Sequence, residues 1–395
     1  MHEVARTIGF ALWRVRDSRG KALRPVAELA GMSKDTLNRI ENGKRSPTLN
    51  EILALADALQ IAPSDLMSLP VPAPANGETD SAIKAVRCAL RDVGHGRPGG
   101  QVLPVEALRG RVRATVDAHS RCDGEREIGA ALPGLIADLH TTLAAGRDVA
   151  KLLDLVVLLH VGATTGWLRV AGAAIDLREQ AVLLGRKAAE ELDTPAALGL
   201  ATWGGVHVML VDGQTDLAQA ELDSVSVPTT SPKSMQLAGM LVLCQSLVAA
   251  VDNRHADVRA PLELASELAE HTGEGNAYWM GFGPTNVGCW RMHAALEIGD
   301  HESAAAIAED LRPDLHPHRG SQALYWVDYG RALARLRGRH DDAVWALRRA
   351  ERISPHQVQR DPFARDVLAV LLRHSRRDAV GQELRGMAYR AGLPV

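Results

Sequence analysis

Apolar residues recur at intervals of three and four along most of the chain and almost nowhere alternate, which is the signature of helices with one buried face. Over residues 3–18, Val4, Ile8, Leu12 and Val15 fall on one face, and Gly20 ends the run. A second short helix is expected from Pro25, where a missing N–H costs nothing, with Val26, Leu29 and Ala30 inward. Gly31 and Met32 separate it from a third helix, Lys34 to Glu41, with Ser33 as N-cap and Asn42-Gly43 as its close. A fourth helix, Leu49 to Leu59, follows Pro47 and turns Leu49, Ile52, Leu53, Ala56 and Leu59 inward. A fifth, Pro63 to Leu69, has Ser64 as its cap and Leu66 and Leu69 inside.

The spacing between the second and third helices carries the most information. Ala27 lies four residues before Gly31, small enough for two helices to approach near a turn. Gly31 supplies the left-handed conformation that a β-carbon disfavours. Leu37 and Ile40 then share the face that packs back onto Val26 and Ala30.

Residues 70–80, PVPAPANGETD, hold three prolines spaced by two and predict a semi-extended linker, with a hinged N-terminal domain before it. Beyond 81 helical patterns cover 81–93, 103–121, 126–145, 148–170, 172–192, 195–212, 215–224, 232–251, 255–271, 275–298, 301–311, 320–337, 341–352, 361–374 and 378–391. A weak repeat runs through them. Gly213, Asn253, Gly299 and Gly338 each open a polar stretch that leads into a helix. Long apolar helices precede these turns and amphipathic ones follow, the pattern of a stacked helix-hairpin solenoid, with a non-repeating bundle as the alternative. The fold class is therefore all-α: a five-helix domain at 1–69, a linker at 70–80 and a helical-repeat domain at 81–395.

Composition agrees. Aromatic residues make up 4% of the chain, and runs of alternating β-branched residues are few. The net charge of −3 is unevenly spread. Residues 1–69 hold ten Lys or Arg against eight Asp or Glu, while the remainder holds 35 against 40. Nucleic-acid contact thus belongs to the N-terminal part, where the bias is modest. Cys88, Cys122, Cys244 and Cys289 are far apart, and none lies in a C-x-x-C pair. His316-Pro-His318 is the one close histidine pair and reads as a loop, so neither metal nor cofactor is expected. No phosphate-binding loop, dinucleotide fingerprint, zinc-protease helix or nucleophile elbow is present, and no enzyme is expected. The N-terminus has no signal-peptide core and the apolar runs look interrupted before about 18 residues, so a cytoplasmic protein with no membrane association is expected.

The stretch VAELAGMSKDTLNRIENGKRSPTLNEILALADALQIAPSDLM resembles the Cro/repressor-type (XRE-like) helix-turn-helix regulators. That resemblance covers residues 3–69 and implies that the third helix enters the major groove of double-stranded DNA. Ser33, Lys34, Asp35, Thr36, Asn38 and Arg39 are then the base-facing set. Lys34 suits guanine, Asp35 cytosine and Thr36 a thymine methyl, while Asn38 and Arg39 suit a base or a phosphate. Arg24, Lys44, Arg45 and Thr48 are placed for phosphates. Arg24-Pro25 departs from the glutamine often found at the start of the second helix. The resemblance also implies a homodimer on a palindromic operator, with half-sites roughly 10 bp or a multiple apart.

The later helices resemble tetratricopeptide-like repeats, although their period is longer and the tryptophan-glycine-tyrosine pattern is missing. The combination resembles a large group of regulators in high-GC Gram-positive bacteria, and residues 278–300, YWMGFGPTNVGCWRMHAALEIGD, resemble a stretch of them. The likeness extends to the peptide-receptor regulators of quorum sensing and implies a cytosolic peptide or small-molecule effector. Candidate ligand residues are Trp203 and His207 on one helix face, then Tyr278, Trp279, Phe282, Asn286, Trp290 and Arg291, then Tyr325, Trp326, Tyr329 and Arg331. Gly281 to Asn286 breaks helical rules inside a regular array, which often marks function. Asn286 suits a peptide backbone, and Arg291 or Arg331 a carboxylate. Two alternatives stay open: these aromatics are the core of two hairpins, and the array serves a constitutive regulator as a protein-interaction module for an antitoxin-like partner.

Overall fold

The computed structural model describes residues 7–67 and 77–395, and every regular element among them is a helix. The N-terminal domain holds α1 (Ile8–Ser18), α2 (Leu23–Leu29), α3 (Lys34–Glu41), α4 (Leu49–Leu59) and α5 (Pro63–Met67). Val4 and Leu69 lie outside the described residues. Thr7 caps α1, accepting a hydrogen bond from the Phe10 amide at 3.2 Å. Pro25 stands at the third position of α2, where its amide would also lack an intrahelical partner. Leu29, expected inside, is 68% exposed: Val26 and Ala27 supply the buried face of this two-turn helix. On α4 the buried position is Leu55 rather than Leu53, because the array covers a second side of that helix.

The larger part begins with helix Gly77–Gly94, so residues 77–80, expected in the linker, are helical. The rest of that segment lies outside the described residues. Most later helices fall within a few residues of their expected ranges. Two elements differ. The expected 275–298 helix starts only at Pro284, preceded by a short turn at Ala277–Trp279. A short helix, Pro355–Arg360, was not expected. Two segments, Val149–Val170 and Pro232–Val251, stay apolar for longer than the expected interruption allowed. Of their most apolar stretches, 67% and 72% respectively is buried inside the protein, as in core helices.

Gly213, Asn253, Gly299 and Gly338 all take positive φ, between +60° and +86°. The four turns of the weak repeat are thus conformationally alike, and each reverses the chain after a buried helix. Consecutive helices pack as neighbours: Ile175–Leu192 on Pro195–Val211, Pro232–Val251 on Arg259–Thr272, and Arg319–Leu333 on His340–Ile353. Arg360 reaches back to the Ala171 carbonyl at 2.5 Å, tying the last third of the array to the first.

The N-terminal domain is not held by the linker alone. Ile52, Leu55 and Leu59 of α4 share one apolar cluster with Val206, Leu210, Leu241, Leu247 and Val251 of the array. Buried carboxylates of the array also meet two helix N-termini of the domain. Asp366 accepts from the Ile8 amide at 2.7 Å, and Glu297 accepts from the Leu49 amide at 2.7 Å. These amides open α1 and α4, have no intrahelical acceptor and lie at the positive end of the helix dipole, so an anion is favoured at each. The domain is docked in this structure, in contrast to the hinged arrangement that the proline-rich segment predicts.

Candidate nucleic-acid interface

Gly31 takes φ +65°, which turns the chain between α2 and α3. Ser33 then caps α3, its hydroxyl accepting from the Thr36 amide at 3.0 Å. Leu37 and Ile40 are wholly buried against Val26 and Ala27, which fixes the rotation of α3 about its axis. Lys34, Asp35, Asn38 and Arg39 consequently face solvent as one stripe, with Thr36 half-buried at its edge. Asn42 donates to the Asn38 side-chain oxygen at 2.9 Å, which leaves the Asn38 amide N–H pair turned outward as a donor.

The phosphate set divides. Lys44 is exposed. Arg24 is exposed and paired with Glu28 at 2.7 Å, which raises its pKa. Arg45 is half-buried and pairs with Glu51. Thr48 is 3% exposed, and its hydroxyl accepts from the Glu51 amide while the Glu51 carboxylate accepts from the Thr48 amide. That reciprocal capping box starts α4. Thr48, expected at a phosphate, is engaged here as a helix cap, and Arg45, also expected at a phosphate, is paired with Glu51.

Two features of this domain escaped the sequence reading. Glu41 is buried and receives both the Nε and an Nη of Arg16, at 2.6 and 2.8 Å, with the same guanidinium donating to the Lys21 carbonyl at 2.7 Å. This bidentate pair clamps α1 to α3. Gly9 lets the two helices touch: a β-carbon there would lie 1.8 Å from the Ile40 carbonyl oxygen. The visible signal was a glycine inside the α1 pattern.

The expected ligand residues lie in two packed groups. His207 stands between Trp203 and Trp290, with ring centroids 6.0 and 5.7 Å away, and burial holds its pKa down to about 4. Phe282 is wholly enclosed, seated against Gly239, where a β-carbon would be 2.1 Å from the ring. Asn286 is 3% exposed and its amide points to the Met240 sulfur at 3.1 Å. Tyr278 and Trp279 take φ of +53° and +58°, unusual for aromatic residues. Lys233 sits 4.2 Å over the Tyr278 ring, and the Trp279 indole donates to Asp117 at 3.3 Å. Arg291 is exposed and donates to the Ser266 hydroxyl at 2.7 Å.

Tyr325 is buried and donates to the Ala308 carbonyl at 2.7 Å, while Tyr329 donates to Glu309 at 3.2 Å. Trp326 packs edge-on to Tyr325. Arg331 is buried between Glu297 and Asp328, each at 2.9 Å. Phe282, Asn286, Tyr325 and Arg331 are thus corrected from groove-lining positions to core positions, because their polar atoms and ring faces already have protein partners. His316 is buried, and His318 accepts from the Ser321 amide at 3.3 Å as the cap of the next helix. No group of three metal-ligating side chains occurs among the described residues.

A small residue, a left-handed glycine turn and a capped helix carrying a polar outer stripe define a DNA-reading module. Residues 14–66 match the helix-turn-helix family model, so the chain carries a helix-turn-helix domain of the XRE-like class. No curated protein and no solved structure matches the chain.

Proposed function

We propose that the protein is a sequence-specific transcription regulator that binds a palindromic operator as a homodimer and works in the cytoplasm. The observation that carries this reading is the α3 stripe: Lys34, Asp35, Asn38 and Arg39 outward, Leu37 and Ile40 buried. An exposed lysine, carboxylate, amide and guanidinium are the groups that read base edges in the major groove. The large domain is a tetratricopeptide-like array that sets the position of α3. Glu297 and Asp366 belong to the array and accept from amides of the DNA-reading domain, so any effector that shifts them shifts the reading helix. In one version a cytosolic peptide or small molecule supplies that shift. Enclosure of Phe282, Asn286 and Tyr325 favours a second version, in which a protein partner binds outside the aromatic clusters.

Genome-wide footprinting followed by gel-shift titration tests the DNA reading. Protected sites are expected as two half-sites about 10 bp or a multiple apart. Lys34→Ala or Arg39→Ala should weaken the specific complex by about 1–3 kcal/mol. Equal affinity for protected and random duplex, unchanged in both variants, would defeat the proposal.

A further inference from the structure

A cavity of about 580 Å³ opens where the end of α3 and the loop after it meet the array. Its wall carries three cations from the DNA-reading domain, Arg39, Lys44 and Arg45, and three from the array, Arg335, Arg337 and Arg373. Three histidines complete the polar lining, and no carboxylate belongs to it. Behind the wall, Glu51 pairs with Arg45 and lies 4.0 Å from Arg335, while Asp366 and Asp300 lie near enough to act on Arg335 and His301. Arg39, Lys44, Arg337 and Arg373 line the same opening, and Arg373 also donates to the Asn42 carbonyl. Arg39, Lys44 and Arg337 have no ion pair among the described residues.

Several polar atoms here are sequestered from water without a protein partner. The Nε donors of Arg45 and Arg373 are buried and make no hydrogen bond among the described residues, and the buried Nδ1 of His301 is likewise without a partner. Buried donors without acceptors are costly, and a protein interior normally supplies a partner. Like charges also oppose one another. Burial, together with Arg45 and Arg331, pushes the Arg335 guanidinium down to about 9. Burial and the neighbouring Arg335, Arg45 and Arg331 push His301 down to about 3. The protein maintains a concave, cationic, poorly compensated site at the seam between its two parts, which is the electrostatic complement of a compact polyanion.

We propose that this seam binds a small, multiply phosphorylated molecule, such as a nucleotide or a short polyphosphate chain. Arginine forks match phosphate oxygens in pairs, and several together suit a ligand with three or more negative charges. The volume lies in the usual range of small-molecule sites. Arg39 lies in the last turn of the recognition helix and Lys44 follows its close, so an occupant neutralises cations in and beside the DNA-reading stripe. Binding of the polyanion and binding of DNA therefore oppose each other. The site lies apart from the aromatic clusters, and its occupancy can be read without DNA.

The test is calorimetric titration of the full-length protein with inorganic tripolyphosphate and, separately, with ATP, both without magnesium and at about 0.15 M salt. Arg337→Glu is the primary variant, because Arg337 is exposed and its change leaves the packing intact. Arg373→Gln is the second. Saturable one-to-one binding is expected, weakened at least tenfold in each variant, and tripolyphosphate should displace a fluorescent duplex from the wild-type protein more effectively than from Arg337→Glu. Absence of binding, or equal binding by wild type and both variants, overturns the proposal. A third result also overturns it: no tripolyphosphate or ATP binding, with Arg337→Glu weakening all duplexes uniformly and flattening their salt dependence. The phosphates recognised would then be those of the DNA backbone.

Discussion

Removing the Glu297 carboxylate should release the DNA-reading domain from the array. The carboxylate bridges three elements: one oxygen accepts from Arg331 at 2.9 Å and the other from the Leu49 amide at 2.7 Å. Arg331 in turn binds Asp328 at 2.9 Å, and Asp328 binds His293 at 2.7 Å, so a buried polar chain runs from the array to the first amide of α4. In Glu297→Ala the guanidinium loses one of two buried carboxylates, a change that costs about 3–5 kcal/mol in such pairs. The Leu49 amide also loses its acceptor, worth about 1–3 kcal/mol when buried. The two losses share one cavity and water enters it, so they do not sum. About 4 kcal/mol is expected, a large part of the stability of a typical domain. Glu297→Gln keeps an acceptor for Leu49 and should cost about 1–2 kcal/mol less. Urea denaturation of the full chain measures the total, and hydrogen exchange locates it. Protection across α4 should fall by roughly a thousandfold in Glu297→Ala, with the helices at 77–144 little changed. A cost under about 1 kcal/mol, or unchanged α4 protection, would refute the idea that this carboxylate holds the domains together.

Two further outcomes follow from the same interface and from α1. Burial outweighs the Ile8 amide and raises Asp366 to about 6, above its ordinary carboxyl value, so the folded state holds this proton more tightly than the unfolded chain does. Its contribution is fully present below the unfolded value near 3.8 and is lost as pH rises through about 6, a difference of about 3 kcal/mol. Asp366→Asn has no charge to bury, so its stability relative to wild type should rise between pH 4 and pH 7 in matched urea melts; a constant difference would count against the assignment. Gly9→Ala should destabilise by about 2–4 kcal/mol, despite the better helix propensity of alanine, because the added carbon meets the Ile40 carbonyl oxygen. A thermal melt that shows stabilisation would mean that α1 and α3 can part without loss.

The sequence by itself determined the helices and the reading module. Three-four periodicity, Ser33 as cap and Gly31 as turn are local properties, and local geometry gives them the same meaning in any fold that contains them. Lys34 to Arg39 were legible as an outward stripe because Leu37 and Ile40 fix which way the helix rolls. Tertiary structure alone decided which polar groups remain free. Thr48 and Arg45 read as surface residues until Glu51 engages both, and Arg331 reads as a carboxylate trap until Glu297 and Asp328 enclose it. Glu297 and Asp366 resemble ordinary helical acids in the chain, and only the fold carries them some 248 and 358 positions back to the helix ends they cap. The cationic seam has the same origin. Its six cations come from three segments far apart in the chain, at 39–45, 335–337 and 373, and charge density is set by distances in space that no one-dimensional pattern records.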